Sequence, residues 1–258
     1  GMEIPPVFES DAVRTEKVKV LRSLAPLRVG DVVYGQYVAG RQPEARQPAA
    51  PAVGAREAAS GVEASAAGEG ERMPGYREEP DVAPDSSVET FVALKLEIAN
   101  WRWTGVPFYL RTGKRLPRGV SQIVVQFRRP PVSIFRSVTG GPNEPDVLAI
   151  TIQPDEGFDL GFDVKIPGQG IRLSREFLRF RYADRFPRVP EAYETLLEDI
   201  LQGDQTLFVR ADVVEESWRL YAPLLEAPPA AEPYAAGTWG PAGADALLAR
   251  DGRRWMVI

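Results

Sequence analysis

Five lysines, Lys17, Lys19, Lys95, Lys114 and Lys165, stand among 31 basic residues, so arginine is the default cation of this chain. A lysine offers a compact, strongly hydrated point charge where a guanidinium fork does not fit. Lys114 follows Arg111-Thr112-Gly113 at the end of an extended run, and loops at strand ends often carry function. On spacing alone, Lys114 is still an ordinary surface lysine. Asp155, Glu156, Asp159 and Asp163 gather carboxylates in one stretch, but their spacing is not that of a Ca²⁺ loop. They read as a solvated loop. Arg172, Arg175, Arg179, Arg181, Arg185 and Arg188 interleave with Phe177, Phe180, Tyr182 and Phe186, a pattern a single-strand nucleic-acid surface can show. Glu176 and Asp184 interrupt it and the net charge is −5, so a sheet edge or subunit interface is the better reading.

What is missing excludes whole chemistries. The chain has no His and no Cys, hence no Ser-His or Cys-His nucleophile pair, no imidazole base, no disulfide and no thiolate zinc site. The nearest approach to a dinucleotide fingerprint, Gly168-Gln-Gly170-Ile-Arg-Leu173, lacks its third glycine, and Phe108 stands where a phosphate loop ending at Gly113-Lys114 needs its first. Nucleotide binding by either device is not expected of this chain. An acidic balance argues against nucleic acid. No apolar run is long enough to span a membrane, and Gly1-Met2-Glu3-Ile4 lacks the basic start of a signal peptide. The expectation is a cytoplasmic protein that binds neither nucleic acid nor membrane.

These candidates must be positioned by regular elements. Asp11–Leu24 reads as a helix with Val13, Val20, Leu21 and Leu24 on one face, and Asp31–Val38 as a strand. From Val88 to Ile98 the period is two: Val88, Thr90, Val92, Leu94, Leu96 and Ile98 form an apolar face opposite a more polar one. Further extended runs cover 107–111, 121–127, 147–153 and 171–175, with turn residues rather than helices between several of them, so antiparallel neighbours are expected. Two helices follow. Residues 190–203 begin with Pro190 and end with Gly203, with Tyr193, Leu196, Leu197, Ile200 and Leu201 on the apolar side. Asp212-Val-Val-Glu215 has capping-box spacing, with Val214, Trp218 and Tyr221 on the face that follows. Arg41–Arg72 holds ten Ala, four Gly and three Pro and no large apolar residue except Val, which predicts a flexible insertion. Strands first and helices later predict an α+β fold, a large, mainly antiparallel sheet with helices packed on one face, in a single domain over 1–258.

The run Trp101-Arg-Trp-Thr-Gly-Val-Pro-Phe-Tyr-Leu-Arg-Thr-Gly-Lys114-Arg-Leu resembles the signature of the C-terminal domain of glucose-6-phosphate dehydrogenases. Val13–Leu21, Gly35-Gln-Tyr37, Ile152-Gln-Pro154, Pro190-Glu-Ala-Tyr193, Phe208-Val-Arg210 with Trp218, and Tyr234 through Gly237-Thr-Trp-Gly-Pro241 fall in family order. The resemblance spans nearly the whole chain outside Arg41–Arg72. It implies an enzyme that oxidises glucose 6-phosphate at C1 and passes hydride to NADP⁺, giving the 6-phosphogluconolactone of the pentose phosphate pathway. The family chain is roughly twice as long. Its N-terminal Rossmann half carries the nucleotide loop, the His general base with its Asp partner and a phosphate-gripping segment. By resemblance, then, this is a C-terminal half, inactive alone, with NADP bound mainly by the other half.

Residue by residue, Lys114 matches the family lysine that reaches into the sugar pocket, Gln153 a pocket glutamine on a neighbouring strand, and Arg111 and Gly113 the turn that presents the lysine. A basic residue is expected five positions after the lysine, where this chain has Gly119. Arg118 sits one position early as its substitute. The family's broad sheet also implies a homodimer. The alternative is a free-standing, non-catalytic binding or assembly module derived from that domain.

Overall fold

Alternating apolar residues dominate this sequence, and in the computed structural model they become strands. The structure describes residues 1–42, 71–132, 144–168, 170–188, 190 and 192–257. Those residues divide into two compact units, Gly1–Arg118 with Gln205–Arg254 and Gly119–Asp204 with Trp255–Ile258. The fold is α+β with mainly antiparallel pairing, as expected. Among the described residues the strands are shared between two four-stranded sheets and a short ribbon.

In the first unit, β1 (Val32–Val38), β4 (Phe91–Glu97), β5 (Pro107–Gly113) and β10 (Glu232–Ala235) form a sheet ordered β10-β1-β4-β5. β4 pairs antiparallel with β1 and β5, whereas β10 runs parallel to β1. Directly paired residues share a face. Val32, Tyr34, Leu94 and Leu96 therefore point one way, and Leu224 of helix α3 (Ala211–Glu226) packs among them. Helix α1 (Ser10–Arg22) lies along α3, joined by Arg22 Nε to Glu216 Oε1 at 2.7 Å, and its Arg14 reaches Gln205 Oε1 in the segment before α3 at 2.9 Å. The other face, expected to be the more polar one, buries Phe91 and Ala93. Pro241, just before helix α4 (Ala242–Ala249), lies against Gly35 on that face, and Ala244, Leu247 and Leu248 of α4 are buried. Helices thus cover both faces of this sheet, which is why Phe91 and Ala93 are buried on the face that Lys95 and Glu97 also occupy.

The expected insertion begins and ends in a ribbon. β2 (Gly40–Arg41) pairs with β3 (Arg72–Met73), Arg41 opposite Arg72, while 43–70 lie outside the described residues. Helix α3 starts at Ala211 without the expected capping box. Arg210 is the N-cap with no side-chain cap bond, and Asp212 instead pairs with Arg210 Nε at 2.7 Å. The stripe that α3 buries is Leu220 and Leu224. Val214 and Trp218 stay exposed, because the core seat is taken by Leu224.

In the second unit, β6 (Ser121–Gln126), β7 (Val147–Gln153), β8 (Gly157–Lys165) and β9 (Leu173–Arg181) form an antiparallel meander in sequence order. Only the first half of the acidic run is a solvated turn: Asp155 and Glu156 are exposed before β8, whereas Asp159 and Asp163 lie in the strand. Asp159 is 1% exposed, with Arg181 Nη2 at 2.6 Å and Arg179 Nε at 3.2 Å. Cross-strand guanidinium groups compensate a carboxylate that burial alone would penalise. The Arg and aromatic run forms β9, the edge strand of this sheet, and the short helical turn Tyr182–Asp184 beyond it. Opposite the Asp159 face, Ile123, Val125, Ile150, Phe158 and Leu178 are exposed, and Phe158 stacks on Phe180 with ring centroids 5.2 Å apart. Helix α2 (Ala192–Gln202) falls where a helix was expected, with Tyr193, Leu197, Ile200 and Leu201 exposed.

Candidate functional site

Lys114 is the first residue after β5, and hydrogen bonds hold its backbone on both sides. Its N–H donates to Thr90 O at 2.8 Å, and its carbonyl accepts from the Tyr234 hydroxyl at 2.7 Å. The same hydroxyl lies 3.2 Å from Thr90 Oγ1, which accepts from the Tyr37 N–H at 3.1 Å. Arg115 follows with φ +51°, a left-handed conformation uncommon for a residue with a side chain. Two contacts keep it there. Its carbonyl accepts from the Gly237 N–H at 2.7 Å, and its guanidinium bonds Glu79 Oε1 at 2.6 Å. Glu79 also accepts from the Tyr37 hydroxyl at 3.1 Å.

The electrostatics follow from these contacts. The Arg115 guanidinium holds the Glu79 carboxyl below its ordinary range, and the Tyr37 hydroxyl adds to this. Burial raises the Tyr37 and Tyr234 phenols, which keeps both protonated and able to donate. On the strand before the turn, the Arg111 guanidinium lies over the Trp239 ring, 4.6 Å from its centroid. Burial lowers its pKa, against the opposing field of Asp245. Gly113 is required by space: a Cβ there would stand 2.7 Å from the Phe91 ring.

The Lys114 side chain is exposed, and among the described residues no carboxylate pairs with its ammonium. A fixed backbone carrying an unpaired, hydrated cation is suited to an anion or a set of hydroxyls. Arg118 is exposed in the bend that follows. A Cβ on Gly119 would meet nothing within 4 Å, so the basic residue expected there is not excluded by crowding. Lys114 and Arg118 belong to the first unit and Gln153 to the second. Gln153 ends β7, where its Nε2 donates to Ser121 Oγ at 3.1 Å across the β6–β7 pair.

Pattern reading missed the residues that hold the turn. Tyr234 and Gly237 lie 120 and 122 positions beyond the peptides they bind, and no local spacing announces such contacts. The alternation marks Thr90 only as one member of a strand. Two surface cavities of about 320 and 310 Å³ open elsewhere in the first unit, and Lys114 lines neither.

A dinucleotide is usually gripped by a glycine-rich turn leading from a strand into a helix. Gly168 and Gly170, with φ of +113° and +78°, turn instead between the antiparallel strands β8 and β9. Among the described residues the parallel pairing is that of β1 with β10, and no helix joins a glycine-rich turn to it. The described residues therefore do not fit a dinucleotide in that way. Nor do they gather three or more acidic side chains that could hold a metal ion.

Comparison with known proteins agrees with the sequence pattern. The family model described as the C-terminal domain of glucose-6-phosphate dehydrogenase matches residues 1–256. The glucose-6-phosphate 1-dehydrogenase of Aggregatibacter actinomycetemcomitans is 41% identical over 99% of this chain and 47% of its own length. That of Chlamydia muridarum is 43% identical, over 98% of this chain and 46% of its own. Among solved structures, glucose-6-phosphate 1-dehydrogenase from Mycobacterium avium superposes with a TM-score of 0.76 at 31% identity, covering 99% of this chain and 46% of that one. A glucose-6-phosphate dehydrogenase in complex with its substrate glucose-6-phosphate gives 0.78 at 35% identity, covering 99% and 48%. The chain spans about half the length of the relatives it matches.

Proposed function

This chain belongs to the glucose-6-phosphate dehydrogenase C-terminal domain family, and from that premise we propose that it supplies the substrate side of a dehydrogenase acting on glucose 6-phosphate. The reaction removes hydride from C1 of the sugar and gives the 6-phosphogluconolactone. NADP⁺, held by a nucleotide-binding half in the same enzyme, is the hydride acceptor. The residues of this chain bind and orient the sugar. Lys114 donates hydrogen bonds to the substrate from a backbone that cannot drift. Gln153 contributes an amide from the end of β7, and Arg118 provides the second cation that Gly119 does not. Hydrogen-bond donors on a polar sugar phosphate fix the direction in which C1 points, which is where positioning contributes to rate. The observation that carries this reading is the Lys114 turn, an exposed ammonium with no carboxylate partner among the described residues, on a peptide bonded on both sides.

We further infer that the enzyme is a homodimer in the cytoplasm. Support for the dimer is the apolar sheet face of the second unit, where Ile123, Val125, Ile150, Phe158 and Leu178 are exposed together. Contiguous apolar surface of that kind usually meets a partner, and a second copy presents the same face.

The test is a titration of glucose 6-phosphate into the full-length enzyme and its Lys114→Ala variant. A hydrogen bond to a charged group contributes about 1.5–3 kcal/mol, so affinity should fall by about 10- to 150-fold. Unchanged affinity would remove Lys114 from the pocket. The 258-residue chain by itself should not reduce NADP⁺, and sustained reduction by it would contradict the division of labour.

A further inference from the structure

We infer that Tyr234 is a positioning residue for the sugar-binding lysine, acting as a clamp that sets the Lys114 peptide from a segment 120 residues away. The inference rests on the reading of Lys114 as a substrate contact and adds what determines its aim. Three observations converge on it. The Tyr234 hydroxyl donates to Lys114 O at 2.7 Å and lies 3.2 Å from Thr90 Oγ1. Lys114 is bonded on its other side to Thr90 O, at 2.8 Å, so Tyr234 and Thr90 hold the two ends of one residue's backbone. The next residue, Arg115, is left-handed, and the chain that carries Tyr234 also supplies the Gly237 N–H that bonds Arg115 O at 2.7 Å. A left-handed residue with a side chain relaxes toward extended or helical backbone unless its surroundings over-determine it. Relaxation at Arg115 would rotate the Lys114 peptide and swing the ammonium away from its target.

The Tyr234 ring would survive loss of the hydroxyl. It lies against Phe91 and Tyr37, with centroids at 5.5 and 6.3 Å, so Tyr234→Phe keeps the packing and removes only the clamp. Glu79 acts at the far end of the same turn, since its carboxylate pairs with Arg115 and accepts from Tyr37. Being partly solvent-exposed, it offers a second perturbation, Glu79→Gln, that does not enter the core.

The experiment uses the full-length enzyme and measures KM for glucose 6-phosphate, KM for NADP⁺ and kcat for Tyr234→Phe, Lys114→Ala, the double variant and Glu79→Gln. Loss of one clamping hydrogen bond should raise the KM for glucose 6-phosphate by about three- to tenfold, with the KM for NADP⁺ unchanged. In the Lys114→Ala background, Tyr234→Phe should add nothing, because there is no ammonium left to misdirect. Glu79→Gln should move the same KM in the same direction, and it decides the matter if Tyr234→Phe does not accumulate. A structural role alone would lower the active fraction, and hence kcat, while leaving both KM values in place. That result, or equal KM increases in the wild-type and Lys114→Ala backgrounds, overturns the inference while leaving the pocket intact. If Lys114→Ala itself leaves the KM for glucose 6-phosphate unchanged, the pocket reading fails first and the clamp has nothing to aim.

Discussion

Replacing Gly113 with alanine inserts one methyl group where the first unit has no room for it. On the present backbone the new Cβ would lie 2.7 Å from Phe91 Cδ2 and 3.2 Å from Phe91 Cβ, so either the ring or the end of β5 must move. The ring is confined. Phe91 is 2% exposed, and Cβ atoms placed on Gly35 and Gly240 would also meet it, at 3.2 and 2.4 Å. β1 and the turn before α4 therefore already press on the same side chain. Overpacking of this kind costs about 1–3 kcal/mol. In a chain of this size each kcal/mol lowers Tm by about 2–4 °C, so Gly113→Ala should melt about 2–12 °C below the parent. Thermal unfolding followed by circular dichroism provides the measurement. Gly119→Ala is the matched control, since its Cβ would meet nothing within 4 Å, and it should stay within about 0.5 kcal/mol of the parent. Phe91→Leu should relieve the clash, so the double variant should be more stable than the sum of the two single changes requires. A Gly113→Ala protein that melts with the parent would mean that the ring is not confined, and the account of how β5 delivers the Lys114 turn would fall with it.

Asp159→Asn should destabilise the second unit by about 1.5–3 kcal/mol, because the buried carboxylate that two partly exposed guanidinium groups bind is neutralised; a parental urea midpoint would show the ion cluster to be dispensable. Asp251 gives a pH dependence. The Lys95 ammonium, and then the Tyr109 hydroxyl, hold its carboxyl below the usual range. A carboxyl depressed in the folded state contributes stability that is present above the unfolded value of about 3.9 and is lost as pH falls through the folded one. Asp251→Asn should therefore lower stability at neutral pH and flatten the acid limb below about pH 4, read from urea midpoints across pH. An unchanged acid limb would place that pH dependence elsewhere.

The parts of this protein legible in its sequence are those governed by neighbours along the chain. Strand alternation from Val88 to Ile98, the Gly and Pro punctuation between strands, and helices beginning near Ser10 and Ala192 rest on local sterics and period. The turn at Gly113-Lys114 was visible for the same reason, and the family motif around it marked the lysine. Tertiary structure decided what is buried and what is held. Asp159 looked like one member of a solvated acidic run, and only the register of β8 against β9 brings Arg179 and Arg181 to it. Register is a non-local property, so a carboxylate's partner cannot be read from the residues beside it. β4 has a buried second face because α4, about 150 residues later, packs there. Lys114 was nameable from its own segment, but its aim depends on a hydroxyl contributed by Tyr234. The physical reason is the short range of hydrogen bonds and packing: they act over a few ångströms of space, whatever the distance along the chain.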